Sequence, residues 1–337
     1  MAYGLYMDVV VLAGGFGTRL RPWTSHMPKP LVPILDRAMI EHVVDVLPES
    51  LVTRVLIAAG YGIEQMREHF AEMSLPYEVI IVEETEPLGT GGAIANCRPH
   101  LSGGTVCVIN GDLLTSLRVE EMLVQHRKDG NSATISLWEV EDPSRFGVAD
   151  FDAVSRKIQR FQEKPPRDEA YSNLINAGTY LIEPELFDEM PQGRFSIERD
   201  LYPHVAESGR LGGFPFEGWF VDAGTPSSYI EAVQTSIRNG RHRTGEIERD
   251  NWVLSTIHDR VIGSSIANGV VISGDAEVVN SAILNNCKIE AGSKIQDCMI
   301  GSGSVVSTGA ILVSVVVDFD VVVPESHIQT GGCFPPE

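Results

Sequence analysis

Residues 8–30 read DVVVLAGGFGTRLRPWTSHMPKP. Asp8 to Ala13 is a short apolar, β-branched run, the composition of a strand buried on both faces of a parallel sheet. Gly14, Gly15 and Gly17 end it with residues that tolerate positive φ and let a ligand approach the backbone closely. In an open α/β sheet the loop at the carboxyl end of a strand is where ligands bind. Successive glycine N–H groups there form a concave cradle suited to phosphate. Arg19, Arg21 and Lys29 add positive charge, with Lys29 fenced by Pro28 and Pro30. The spacing matches neither GxxxxGK[ST] nor GxGxxG, so neither of those two nucleotide folds is indicated.

Outward from this loop, strand and helix alternate. Strands are expected at 8–13, 53–59, 77–82, 104–110 and 133–139, with helices near 39–47, 62–72, 91–97 and 118–129. That alternation predicts a parallel or mixed sheet with helices on both faces. From 146 to 183 the pattern becomes strand-rich, as an antiparallel insertion would be. The polar stretch 239–246 (NGRHRTGE) reads as a linker.

Beyond it the pattern changes again. Aliphatic residues recur every five or six positions at Ile266, Ile272, Val278, Leu284, Ile289, Ile295, Ile300, Val306, Leu312, Val317, Val323 and Ile328, with small residues between them. A period near six predicts a hexapeptide β-helix. The expected organisation is an α/β, Rossmann-like mixed-sheet domain over 1–240, a linker at 241–250 and a left-handed hexapeptide β-helix over 251–337. His258 and His327 lie near the ends of this region and read as surface or packing residues, so the β-helix is expected to serve assembly and regulation, pairing with a copy of itself.

The formal net charge of −20 disfavours nucleic acid and anionic membrane surfaces as partners. Five cysteines with no CxxC pair suggest free thiols in a reducing compartment. Neither a signal peptide before Asp8 nor an apolar run long enough to span a membrane is read, so a soluble cytoplasmic protein is expected.

Four further stretches carry chemistry-bearing groups. Asn110-Gly111-Asp112 puts a carboxylate at the end of a strand. Phe161-Gln162-Glu163-Lys164-Pro165 ends another, Asn176-Ala177-Gly178 lies within a third, and Asp222-Ala223-Gly224-Thr225-Pro226 precedes a helix. Taken in order, GGxGTRL, PKP, EPLGT, NGD, FGV, EKP, NAG and DxGTP resemble the sugar-phosphate nucleotidyltransferase family. The hexapeptide tail further resembles that of its mannose-1-phosphate guanylyltransferase branch. Two departures are Phe146 where relatives often carry tyrosine, and Gly91-Gly92 where many have Ala-Gly; neither removes a charge.

The resemblance implies transfer of a nucleotidyl group from a nucleoside triphosphate to a sugar 1-phosphate, with release of pyrophosphate. GTP and mannose 1-phosphate are the implied pair, with a glucose-1-phosphate uridylyl- or thymidylyltransferase, or a non-catalytic regulatory paralogue, as alternatives. Leu12, Ala13, Gly14 and Gly15 would border base and ribose, and Gly17 and Thr18 would cradle phosphate. Arg19 would neutralise the departing pyrophosphate, and Lys29 would hold the reactants in line. Asp112 and Asp222 would bind Mg²⁺, a hard cation matched to carboxylate oxygens. Pro87, Gly89 and Thr90 would complete the nucleotide site. Gly111, Gly147, Glu163, Lys164, Asn176 and Gly178 would line the sugar-phosphate site. Glu84, three residues before Pro87, would face the base. A carboxylate there accepts from the adjacent N1–H and N2–H₂ of guanine, whereas glutamine suits uracil or thymine. A homo-oligomer is expected through the β-helix.

Overall fold

The computed structural model describes residues 6–336; residues 1–5, on which the signal-peptide reading partly rests, and residue 337 lie outside the described residues. Packing divides the chain into two compact units. One is Val43–Phe220 with the stretch ending at Gly15, the other Phe16–His42 with Val221–Glu337. The division read at 241–250 marks a change of strand pattern, whereas the packing units part the glycine loop itself between Gly15 and Phe16.

The first unit is built on a nine-stranded mixed sheet. Its strands are β1 (Met7–Leu12), β2 (Val52–Ala59), β3 (Glu78–Glu83), β4 (Val106–Asn110) and β5 (Ala133–Glu139). They are followed by β6 (Gly147–Asp152), β7 (Lys157–Glu163), β8 (Leu174–Ile182) and β9 (Leu211–Pro215). Their order is β3-β2-β1-β4-β8-β5-β9-β7-β6. The first four run parallel, and β8 is antiparallel to both β4 and β5. Val9, Val10 and Val11 are fully buried, which is why the centre of β1 is continuously apolar rather than alternating. Helices Ile63–Ala71, Gly89–Asn96 and Val119–Asp129 connect the strands close to their expected positions. The helix expected at 39–47 runs Met39–Val44, stopping ahead of Pro48, whose ring disfavours helical geometry in the residue before it.

Register decides which loops meet. Leu12 pairs with Ala58 on one side and with Asn110 on the other, so β1, β2 and β4 end level with one another. Chain order runs to one side of β1 through β2 and β3, then returns to place β4 on its other flank. That reversal is the topological switch point at which open α/β sheets bind ligands.

In the second unit, three sheet faces wrap into a left-handed hexapeptide β-helix. Ser265–Ile266, Ala282–Ile283, Met299–Ile300 and Val316–Val317 form one ladder; Glu277–Val279, Lys294–Gln296 and Ile311–Val313 a second; Val271–Ile272, Lys288–Ile289 and Val305–Val306 a third. Ile266 pairs with Ile283, Ile283 with Ile300 and Ile300 with Val317, a repeat of seventeen residues. That spacing produces the occasional step of five among the sixes. Two expected inward positions are corrected. Ile283 rather than Leu284 enters this core, and Ile328, in the last coil, is 71% exposed. A polar column runs inside the coils: Ser281 N–H donates to Ser264 Oγ at 3.0 Å and Cys298 N–H to Ser281 Oγ at 3.0 Å. The helix Pro226–Arg238 precedes the coils and is capped by Thr225 and Ser228.

Candidate functional site

In the first unit the glycine loop leaves β1 at the switch point, and Gly111 N–H donates to Leu12 O at 2.9 Å. A Cβ built on Gly111 would lie 2.7 Å from that same carbonyl, so glycine is required for β4 to close on β1. Asp112 therefore follows β4 at the edge where Ala13, Gly14 and Gly15 emerge. Gly15 is exposed, and a Cβ added there would meet nothing within 4 Å.

Glu84 lies at the same edge. A Cβ on Gly14 would collide with Glu84 Oε1 and stand 3.0 Å from Cδ, so the carboxylate rests directly on the glycine loop. Glu84 is only 9% exposed, while Glu83 and Glu86 are exposed. Its Oε2 accepts from Leu88 N–H at 3.4 Å. Burial pushes its carboxyl above the usual carboxylate range, and the Leu88 contact only partly offsets this.

The remaining EPLGT residues divide. Pro87 and Gly89 are exposed. Gly89 takes φ 72°, and a Cβ there would stand 2.6 Å from Phe195 O. Thr90, expected to touch nucleotide, donates its hydroxyl to Glu198 Oε2 at 2.5 Å and accepts from Ile197 N–H at 3.1 Å. Ser196 Oγ donates to the same Glu198 oxygen at 2.7 Å, and Tyr180 O–H to its Oε1 at 3.2 Å. The departure at Gly91 also has a cause: any Cβ there would enter the Phe195 ring. Glu198, Tyr180 and Phe195 are residues that sequence reasoning missed. Nothing in the local sequence, FSIERDLY over 195–202, marks Glu198 or Phe195, and their part is legible only once the partners are known.

The third cluster lies on β6, β7 and β8. A Cβ on Gly147 would stand 2.5 Å from Phe161 Cζ and 2.9 Å from Glu163 Oε2. Glu163, 14% exposed, pairs with Lys164 Nζ at 3.1 Å, and Lys164 itself is 55% exposed. Lys164 adopts φ 51° and its N–H donates to Phe146 O at 3.0 Å, which turns the chain sharply at the end of β7. On β8, pairing with β5 breaks between Asn176 and Tyr180. Gly178 makes that irregularity at φ 71°, its N–H donating to Asn176 Oδ1 at 2.9 Å. Asn176 Nδ2 in turn donates to Tyr180 O–H at 3.0 Å. One hydrogen-bonded chain thus connects Gly178 through Asn176, Tyr180 and Glu198 to Thr90.

The second unit holds the other charged groups. Gly17 takes φ 62°, and a Cβ there would be 2.9 Å from both Lys29 Cβ and Thr24 Cγ2. Thr24 Oγ1 donates to Gly17 O at 2.8 Å, fixing the turn before Thr18. A Cβ on Gly224 would lie 2.8 Å from Arg19 Nη2 and 2.8 Å from Asp222 Oδ1, so guanidinium and carboxylate share that glycine's surface. Thr18 and Arg19 are exposed.

Among the described residues no group of three or more His, Cys, Asp or Glu is placed to hold a metal alone. Asp112 belongs to the first unit and Asp222 to the second, and each carries the carboxylate oxygens that suit a hard cation such as Mg²⁺. None of the five cysteines forms a disulfide; burial pushes the Cys97 and Cys107 thiols up to about 12, and those of Cys287 and Cys298 to about 11. These are packing residues rather than nucleophiles. No helix among the described residues is long and apolar enough to cross a membrane.

Comparison with known proteins finds relatives over most of the chain. A probable mannose-1-phosphate guanylyltransferase 2 of Arabidopsis thaliana is 32% identical over 312 residues, covering 88% of this chain and 82% of that protein. The mannose-1-phosphate guanyltransferase beta-B of Xenopus laevis is 34% identical over 244 residues, 71% of this chain and 67% of that one. Among solved structures, HddC from Yersinia pseudotuberculosis complexed with GMP-PN superposes with a TM-score of 0.58 at 30% identity, over 68% of this chain and 99% of that one. The GlmU-like C-terminal hexapeptide description matches residues 255–331. The nucleotidyl transferase description matches residues 8–239, more than half of the sequence, and the chain belongs to the nucleotidyl transferase family.

Proposed function

We propose that this chain transfers guanylyl from GTP to mannose 1-phosphate, giving GDP-mannose and pyrophosphate. An oxygen of the sugar phosphate attacks the α-phosphorus in line with the departing pyrophosphate, so no protein nucleophile is needed. Catalysis is positioning plus charge neutralisation. The backbone at Gly14 and Gly15 borders base and ribose, and Gly17 and Thr18 take phosphate. Arg19 neutralises the pyrophosphate, and Lys29 spans the phosphates of both reactants. Glu163 accepts from sugar hydroxyls, Lys164 holds the sugar's phosphate, and Gly147, Asn176 and Gly178 shape that subsite. Asp112 and Asp222 are assigned to Mg²⁺, which when bound supplies positive charge opposite the phosphate oxygens.

The observation that carries the reading is the buried carboxylate of Glu84 against Gly14. Desolvating a carboxylate is costly unless it is compensated. The two adjacent N–H donors of guanine would satisfy it at the switch-point edge, and a pyrimidine carbonyl would not. Free thiols support a cytoplasmic setting, and a homo-oligomer through the β-helix is part of the same reading.

The test is pyrophosphate release measured for four nucleoside triphosphates against mannose, glucose and N-acetylglucosamine 1-phosphates. GTP with mannose 1-phosphate should be fastest, with turnover abolished by EDTA and in both Asp112→Ala and Asp222→Ala. A faster UTP or dTTP pair would move the assignment to a glucose-1-phosphate enzyme. No release with any pair would make the chain a non-catalytic paralogue.

A further inference from the structure

Coils of the β-helix repeat every seventeen residues, so corresponding corners can be compared directly. After Ile266 the corner reads Ala267-Asn268-Gly269, and after Ile283 it reads Leu284-Asn285-Asn286. After Ile300 it reads Gly301-Ser302-Gly303. The third residue of each turns at positive φ, 71°, 60° and 77°. The fourth corner keeps the turn, with Asp320 at φ 54°, but reads Asp318-Phe319-Asp320. A large aromatic thus replaces Asn, Asn and Ser at a position where the β-helix itself asks only for a short polar residue. Its partner must lie outside the coils.

That partner is the segment carrying Arg19 and Lys29. Trp23 is fully buried, and its Nε1–H donates to Val317 O at 2.9 Å. Its ring packs on Phe319 with centroids 5.6 Å apart and meets Tyr229 edge-on at 5.6 Å. His26 Nε2 lies 2.8 Å from Asp318 Oδ1, with its ring 5.0 Å from that of Phe319. Asp318 Oδ1 also accepts from Phe319 N–H at 2.8 Å, which fixes the corner. The far end of the segment is held as well: Tyr229 O–H donates to Pro33 O, and Asp36 Oδ2 accepts from Thr244 Oγ1 at 2.8 Å. Thr24, next to Trp23, reaches Gly17 O, and Gly17 packs on Lys29. A short run of contacts therefore leads from the β-helix corner to Lys29 and to Gly17, whose carbonyl also accepts from Leu20 N–H at 2.8 Å in the turn that carries Arg19.

We propose that the Asp318–Phe319 corner is a docking platform that positions Arg19 and Lys29, making Trp23, His26, Asp318 and Phe319 positioning residues. The inference rests on the roles given above to Arg19 and Lys29, and it assigns the tail a part in the reaction itself. The test uses the full chain with Phe319→Ser, which installs the residue of the preceding corner, and Phe319→Tyr, which keeps the ring. Phe319→Ser should keep the melting transition of the β-helix and speed amide exchange over residues 16–31 at least tenfold. It should also lower kcat/KM for the nucleotide at least tenfold. Phe319→Tyr should restore both. Exchange and kinetics both within twofold of the parent would overturn the proposal, as would faster exchange with unchanged kcat/KM. Should the parent protein release no pyrophosphate with any pair, the failure lies with the assigned reaction, and the exchange measurement alone decides whether the platform holds the segment.

Discussion

Glu84→Gln separates guanine reading from every other account of that buried carboxylate. The structure fixes how the amide must sit. Leu88 N–H points at Oε2, so the Gln carbonyl takes that side and its NH₂ takes the place of Oε1 over Gly14. The group facing the loop edge changes from an acceptor to a donor. Guanine then presents an N–H to an N–H, losing one charge-assisted bond of about 1.5–3 kcal/mol. At about 1.4 kcal/mol per factor of ten, that is roughly a 10- to 150-fold loss in kcat/KM for GTP. Uracil and thymine present a carbonyl to the same NH₂, so UTP and dTTP should gain relative to GTP.

The assay is kcat/KM for each nucleotide at saturating sugar phosphate, together with melting as a function of pH. Burial raises Glu84's carboxyl above its unfolded value, so the folded state favours the proton, and the ionised group costs stability at neutral pH. Gln carries no charge and should therefore melt higher than the parent at pH 7. That advantage should fade as pH falls through the raised value towards the unfolded one near 4.5. An unchanged preference for GTP would show that the base is read elsewhere. A lower melting temperature at pH 7 would show that the carboxylate is already compensated within the protein.

Gly147→Ala drives a methyl into Phe161 Cζ and Glu163 Oε2; it should cost about 1–3 kcal/mol of stability and raise KM for the sugar phosphate more than for the nucleotide, as chemical denaturation and steady-state kinetics will show. On the β-helix faces Val271 and Val322 are each 62% exposed, so sedimentation of the chain should give a mass above 36.8 kDa that falls in the double variant Val271→Lys, Val322→Lys; a monomeric parent would remove the homo-oligomer.

Burial was the part of the fold most legible in the sequence, because it leaves a local trace. Val9 to Val11 read as a strand covered on both faces, and they are fully buried. The same trace misleads where two neighbours are both aliphatic. Ile283 and Leu284 are equivalent to a period-counting eye, and only the seventeen-residue register tells which one enters the core. At the candidate site, glycines were readable as places of close approach, though not what approaches. Gly14 meets a carboxylate, Gly147 a ring and a carboxylate, and Gly91 a ring from 104 residues later in the chain, since Phe195 lies that far beyond it. Thr90 shows the limit: its hydroxyl donates to Glu198, and no spacing rule links the two.

The longest-range contact was nonetheless partly encoded in the tail. A hexapeptide coil constrains each corner so tightly that a residue the coil does not need becomes informative. Asn268, Asn285 and Ser302 are what a turn before a positive-φ residue calls for, since short polar side chains bond to nearby backbone. Phe319 satisfies no such demand, and leaving its ring in water would expose apolar area that folding normally hides. Trp23, likewise, is too large and apolar for an exposed glycine-rich loop and needs a partner for its indole N–H. Each residue alone has many explanations. The pair, one ring out of place in a repeat and one out of place in a loop, is resolved by the 5.6 Å contact between them and the bond from Trp23 Nε1 to Val317 O. In a repeat domain appended to a catalytic fold, the side chains that break the repeat are therefore the first places to look for what the repeat supports.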